Sequence, residues 1–365
     1  MIEFDRLEMG KRSVMEWAKL DSEKVLMDSE TLEKLIDNKE VDINAVDQYG
    51  DNALIYTVRN NATNCTKLLL DHGANVNAVN NYGQTALMYA ASVNDSVECV
   101  NLLIAYGADI DARENDGTTA LIHAKSKCMC ILIDNGADVN ATNNRGLTAL
   151  MWSTRFDTLT PMEALLDHGA DVNACLKTGM NALFYAVCHD NPDSVRLLIK
   201  KGADVNKTDL NGNTVLMRCV FNSASPACLA LLLVNGADIN AVNHNGRNAM
   251  SFAFGMEIYA AICILALFGA PFVTEQLIAI KKHISKGKDP QLELILENLK
   301  QPNLKRQARR RIHQQITCVS RNTKYSKTID ALINAGDLPM RSRSFMLFED
   351  DIEEIIATLT NCDLG

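Results

Sequence analysis

Over roughly the first 270 positions, apolar residues fall into short blocks spaced for helices and separated by polar, turn-forming residues. The blocks come in pairs, and each pair predicts two amphipathic helices with one buried face apiece. After the second block comes a segment such as Asn75-Val76-Asn77-Ala78 or Asp138-Val139-Asn140-Ala141, whose residues predict a tight turn. Each stretch of about thirty residues therefore reads as helix, turn, helix, hairpin.

Two glycine series set the rhythm. A Gly-Ala pair recurs at Gly73, Gly107, Gly136, Gly169, Gly202, Gly236 and Gly269, in steps of 33 or 34 residues and once of 29. A leading series, Gly50, Gly83, Gly117, Gly146, Gly179, Gly212 and Gly246, runs 23 or 24 residues ahead, except in the third unit, where the gap is 19. That deletion predicts a shortened first helix around His123 to Lys127. The trailing glycines predict left-handed ends to the second helices. Units of this kind bury their apolar faces only against neighbours, so they must stack and be capped. Ser13 to Asn44, with Trp17 and the helical Leu32-Glu33-Lys34-Leu35-Ile36, reads as a degenerate first unit.

These units resemble ankyrin repeats. The family's Thr-Pro-Leu-His segment corresponds to Thr85-Ala86-Leu87-Met88, Thr119-Ala120-Leu121-Ile122, Thr148-Ala149-Leu150-Met151 and Thr214-Val215-Leu216-Met217. Gly136-Ala137-Asp138-Val139-Asn140 and its equivalents at Gly169, Gly202 and Gly236 are similar to the family's hairpin segment. The likeness covers about residues 45 to 270 and implies an all-α repeat solenoid with β-hairpin loops. The family's proline and histidine are absent, so packing between units is expected to rest on burial. The resemblance also implies a protein target on a concave face, lined by first helices and hairpin tips. Residues near the leading glycines are the expected contacts: Tyr49, Asp51, Tyr82, Gln84, Asp116, Arg145, Leu147, Lys177, Met180, Leu210, His244 and Arg247. Acidic early tips give way to Arg145, Lys177 and Arg247, which would orient a partner of reverse polarity.

One column stands out. The residue after each Thr-Ala-Leu-Met segment is Tyr56, Tyr89, His123, Trp152, Tyr185, Arg218 or Phe252, so five of seven are aromatic in a chain with only 5% aromatic residues. Tyr, Trp and Arg dominate interface hot spots. The column, with Arg155 and Phe221 beside it, reads either as packing between units or as a partner surface. The ankyrin resemblance further implies an asparaginyl hydroxylase acting eight residues after a leucine, a spacing met by Asn77, Asn140, Asn173, Asn206 and Asn240.

Composition narrows the function classes. A net charge of −9, from 36 Lys and Arg against 45 Asp and Glu, argues against general nucleic-acid binding. Eleven cysteines in apolar helical contexts read as reduced thiols, and the acidic N-terminus lacks the pattern of an export signal, so a cytoplasmic chain is expected, with the nucleus also open. The apolar run from Ile258 to Val273 is 16 residues, short of a membrane span. Glycines spaced for repeats leave no phosphate loop, Cys128 and Cys130 lack a second ligand pair, and Cys188-His189-Asp190 would splay around a helix. The expectation is a non-enzyme with no cofactor, no metal and no small-molecule substrate.

Beyond Pro271 the rhythm stops. Residues 273–300 read as a helical linker, 301–350 as a separate helical region and 351–365 as a terminal helix, after an N-terminal cap at 1–46 and seven repeats at 47–272. The run Lys305-Arg306-Gln307-Ala308-Arg309-Arg310-Arg311 is the one strong basic cluster, consistent with nucleic acid, acidic membrane or a solvated face. Within it Leu304, Ala308 and Ile312 form an i, i+4, i+8 stripe. With Leu338-Pro339 and Phe345-Met346-Leu347-Phe348 downstream, this resembles a suppressor-of-cytokine-signalling (SOCS) box. Ala308 stands where that family has cysteine, and Asp337 where it has the first proline. The resemblance implies that Leu304, Ala308 and Ile312 recruit elongin C with elongin B, that Leu338 and Pro339 contact a cullin, and that the chain is the substrate receptor of a ubiquitin ligase. A plain ankyrin scaffold with a helical cap is the alternative.

Overall fold

A computed structural model describes residues 29–36, 42–223 and 225–270. The chain divides into two compact units at Lys177 and Thr178. In the first unit α1 (Ser29–Ile36) precedes the pairs α2 (Ala53–Arg59) and α3 (Thr63–Asp71), α4 (Ala86–Tyr89) and α5 (Val97–Ala105), α6 (Ala120–His123) and α7 (Ser126–Asp134), and α8 (Ala149–Ser153) and α9 (Thr160–Asp167). In the second unit the pairs are α10 (Ala182–Cys188) and α11 (Pro192–Lys200), α12 (Val215–Phe221) and α13 (Pro226–Val234), and α14 (Ala249–Gly255) and α15 (Tyr259–Leu267). No helix among the described residues is long and apolar enough to cross a membrane.

The recurrent sequence words have direct structural meanings. The threonine or asparagine that opens each first helix is its N-cap. Asn52 accepts from Ile55 N at 2.9 Å, Thr148 from Met151 N at 3.3 Å, Thr214 from Met217 N at 3.2 Å and Asn248 from Ser251 N at 2.8 Å. Such caps contribute about 1 kcal/mol each. The following apolar pair is core: Ala53, Leu54, Ala86, Leu87, Ala120, Leu121, Ala149, Leu150, Ala182 and Leu183 are all buried. The second helix contributes a leucine four residues before its glycine, and Leu69, Leu103, Leu132, Leu165, Leu198, Leu232 and Leu265 are each 0% exposed.

The Gly-Ala pairs then close the second helices. Gly73 has φ +86°, its N–H donates to Leu70 O at 3.0 Å, and Ala74 N donates to Leu69 O at 2.9 Å. This doubled return satisfies carbonyls that the helix leaves open, and it requires the left-handed glycine.

The expected hairpins are tight loops without a sheet, reduced among the described residues to isolated bridges such as Val46 with Asn52 and Val79 with Thr85. Their order comes from side chains and from bonds between successive tips. Asp47 Oδ1 accepts from Tyr49 N and Asp51 N, Asn143 Oδ1 from Arg145 N and Leu147 N, and Asn243 Oδ1 from Asn245 N and Arg247 N. Successive tips are joined by main-chain hydrogen bonds: Asn81 N to Tyr49 O, Asn115 N to Tyr82 O, Asn144 N to Asp116 O and Lys177 N to Arg145 O in the first unit, and Leu210 N to Thr178 O and His244 N to Asn211 O in the second.

The shortened third repeat shows its deletion in α6, a single turn whose chain leaves the helix at Ala124 with ψ 145°. Thr119 Oγ1, the cap position there, is buried with no hydrogen-bond partner among the described residues. The repeat before it is distorted where the two meet. Ala90–Asn94 forms a π-helical turn, and Ala91 O accepts from Lys125 N at 2.9 Å.

Candidate functional site

The seven column residues, Tyr56, Tyr89, His123, Trp152, Tyr185, Arg218 and Phe252, are all half-buried. The two sequence-level readings, packing and partner surface, are therefore not exclusive. Each side chain is partly covered and keeps part of its area open. Tyr49, Tyr82 and Leu210 at the tips are 52%, 59% and 67% exposed, and Arg145, Lys177 and Arg247 are exposed. Two expected contacts are corrected: Asp51 and Leu147 are buried, because the tip folds its trailing residue inward against the first helix.

In the first unit, the Arg59 guanidinium lies 5.5 Å from the ring centroids of both Tyr56 and Tyr89 and reaches Asp51 Oδ2 at 3.3 Å. Tyr56 donates its hydroxyl to Asp47 Oδ2 at 3.0 Å, and burial together with that carboxylate pushes its pKa up to about 12. Burial also raises Tyr89, whose hydroxyl donates to Gln84 Oε1 at 2.6 Å. Both phenols stay protonated as donors. The sequence reading missed Arg59, although its i+3 position relative to Tyr56 is the same that marks Arg155 beside Trp152 and Phe221 beside Arg218.

Further along this unit, Arg155 sits 4.3 Å from the Trp152 centroid, and the His123 ring lies 4.9 Å from the same indole, tilted by 42°. Burial holds His123 below the usual histidine range.

In the second unit, Arg218, Phe221 and Arg247 come together with Phe252. They line a cavity of about 310 Å³ with Met217, Asn211, Asn213, Asn243 and Asn245. Phe221 and Phe252 meet edge to face at 5.9 Å, and the Arg218 guanidinium lies 5.6 Å from the Phe221 centroid.

The other residues singled out from sequence have structural tasks. Asn77, Asn140 and Asn206 each clamp the following repeat. Their amides donate to Gly107 O, Gly169 O and Gly236 O, while their carbonyls accept from Asp109 N, Asp171 N and Asp238 N at 2.7–2.8 Å. Asn173 N and Asn240 N close turns on Asp171 and Asp238. Cys188 Sγ receives Asn222 Nδ2 at 2.9 Å, and Asp190 accepts from Ser225 N at 2.7 Å, so these two side chains are turned to the next repeat instead of to each other. Among the described residues no group of three or more His, Cys, Asp or Glu is placed to hold a metal ion. Leu304, Ala308, Ile312, Leu338 and Pro339 lie outside the described residues.

Paired helices with left-handed glycine ends and tips joined by main-chain bonds define a helical repeat protein. A family model described as ankyrin repeats (three copies) matches residues 24–114, 120–209 and 163–243, and the chain belongs to the ankyrin repeat family. No curated protein matches it. Among the solved structures, it is similar to the ankyrin repeat domain of Bcl-3, titled a unique member of the IkappaB protein family. The identity is 26% with a TM-score of 0.48, over 56% of this chain and 93% of that one. Ankyrin repeats bind protein partners, and proteins of the family are generally non-catalytic interaction scaffolds.

Proposed function

We propose that the chain selects a protein target through its aromatic and arginine column and the adjoining tips, and that it delivers that target to an elongin and cullin ubiquitin ligase. The observation carrying the first part is the column itself, seven half-buried side chains of which five are aromatic and one is arginine. Such residues give large contact area at small ordering cost, and Trp, Tyr and Arg are the residue types that concentrate binding energy. In the first unit Tyr49, Tyr82, Arg145 and Lys177 would flank the column, with Trp152 and Arg155 as an anchor, and in the second Tyr185 and Arg247 would be contacts.

The second part rests on the spacing of Leu304, Ala308 and Ile312 and on the downstream Leu338-Pro339. Affinity capture with the full chain and with a Leu304→Asp, Ile312→Asp variant, scored by mass spectrometry for elongin B and elongin C, tests it. Elongins held by the wild type and lost by the variant are expected. Their absence from both overturns the ligase reading and leaves a scaffold. A Trp152→Ala, Tyr185→Ala variant that keeps every protein captured by the wild type would overturn the column as the target surface.

A further inference from the structure

We propose that the cavity between α12 and α14 is a socket for the side-chain carboxylate of a glutamate in an acidic segment of the partner protein, next to an apolar residue. The inference rests on the protein-binding reading of the column and is independent of the ligase reading. The socket has an apolar floor and a cationic rim. Met217 and the edge-to-face pair Phe221 and Phe252 supply the floor, while Arg218 and Arg247 supply two positive charges with no carboxylate among the lining residues.

Arg218 Nε is buried and has no hydrogen-bond partner among the described residues, and the guanidinium's one ring contact is Phe221, 5.6 Å from its centroid. Neither Arg218 nor Arg247 makes an ion pair among the described residues, in contrast to Arg59 in the first unit, which holds Asp51 at 3.3 Å. The nearest acid in the tip is already used. Asp209 Oδ1 accepts from Asn211 N and Asn213 N, and its Oδ2 accepts from Asn213 Nδ2 at 2.9 Å. Asn243 Nδ2 donates to Asn213 Oδ1 at 2.7 Å, so these two amides are a fixed frame. A buried guanidinium donor without an acceptor, beside a second guanidinium and above an apolar floor, is complementary to a planar carboxylate carried on a short apolar stem. At about 310 Å³ the cavity lies near the lower end of the range for ligand sites, so it suits a side chain more than an extended segment.

The test pans the immobilised full chain against a random dodecapeptide library and titrates one enriched, end-blocked peptide in solution. Enriched peptides are expected to share an acidic residue beside an apolar one. Exchanging that glutamate for glutamine should weaken binding by about tenfold or more, and so should Arg218→Met or Arg247→Gln, the latter at an exposed residue outside the core. Enriched peptides without acids, or affinity indifferent to both arginines, overturn the socket and leave protein binding standing. No peptide captured by the wild type or any variant counts against protein binding itself and so against the socket too. A phosphoserine peptide binding more tightly than its glutamate counterpart overturns the carboxylate in favour of a phosphoryl group. Binding gained only after Glu349, Asp350, Asp351, Glu353 and Glu354 are made amides would assign the socket to the chain's own tail and overturn the external partner.

Discussion

The Arg155 guanidinium carbon lies 4.3 Å from the indole centroid of Trp152, with Arg155 exposed just beyond the end of α8 and Trp152 half-buried within it. A cation over an exposed ring contributes about 0.5–1 kcal/mol. In a Trp17→Phe background, Arg155→Met is expected to shift Trp152 emission while lowering urea stability by no more than about 1 kcal/mol. A loss well above that would make Arg155 a strut of the fold instead of a surface group.

His123 makes stability depend on pH in one direction. Burial disfavours its imidazolium, and Arg145 and Arg155 oppose the charge further, against the attraction of Asp116. The folded pKa is therefore lowered, and the unfolded chain takes up the proton first as pH falls. The contribution is intact above the ordinary histidine value of 6.5 and is lost as pH drops below it toward the folded value. The urea midpoint of the wild type should fall between about pH 7.5 and 5.5 by more than that of His123→Gln. An equal fall in both would place the proton uptake elsewhere.

Asn143 and Asn144 are neighbours with opposite weights. Asn143 is buried, accepts from Arg145 N and Leu147 N, and donates to Thr118 Oγ1 at 3.1 Å. Asn143→Ala strands those partners and should cost about 1–3 kcal/mol. The exposed Asn144 makes one long side-chain bond of 3.5 Å, and Asn144→Ala should stay within about 0.5 kcal/mol in the same denaturation experiment.

Gly83 and Gly107 have nearly the same backbone, φ +78° and +82°, and different surroundings. A Cβ at Gly107 meets nothing within 4 Å, whereas one at Gly83 comes within 2.8 Å of Asn115 Oδ1 and 3.0 Å of Asn115 N. Gly107→Ala should cost the left-handed penalty of about 1–2 kcal/mol alone. Gly83→Ala should cost clearly more, read as a lower thermal midpoint, because the next tip must move.

The thiols should differ in reactivity. Burial pushes Cys228 up to about 12 and Cys219 well above the usual thiol value, while Cys175 is exposed. Maleimide labelling of the native chain, read by peptide mass spectrometry, should reach Cys175 long before Cys219 or Cys228. Comparable labelling of Cys219 would reveal local opening of α12.

Repetition made the fold legible. A leucine four residues before a glycine is one weak signal, but the same pairing at Leu69 and Gly73 and again at Leu232 and Gly236 defines the helix end and its core contact. The column was legible for the same reason, as a position and not as a set of contacts. What sequence did not reveal depends on distance across repeats. Nothing local distinguishes Arg59, held by Asp51, from Arg218, whose Nε is buried and unpaired among the described residues. Nor does sequence tell that Asn80 and Asn143 fold their own tips while the exposed Asn81 and Asn144 reach back to the preceding ones, since all four belong to polar turns. The π-helical turn at Ala90–Asn94 was equally silent, since its Ala91 carbonyl is bonded to Lys125 in the following repeat and no local word marks it.

The bonds between tips run from main chain to main chain, from Asn81 N to Tyr49 O and from His244 N to Asn211 O among others. Side chains add to these bonds at some tips, as Asn81 Nδ2 does to Gln48 O at 3.0 Å and Asn115 Nδ2 to Asn81 O at 2.9 Å. Proline is barred at Asn81, Asn115, Asn144, Lys177, Leu210 and His244, because it has no N–H to give. Lys177 and Leu210 are exposed and reach the preceding tip through the main chain, so their side chains can be exchanged for another partner while the link beneath is kept.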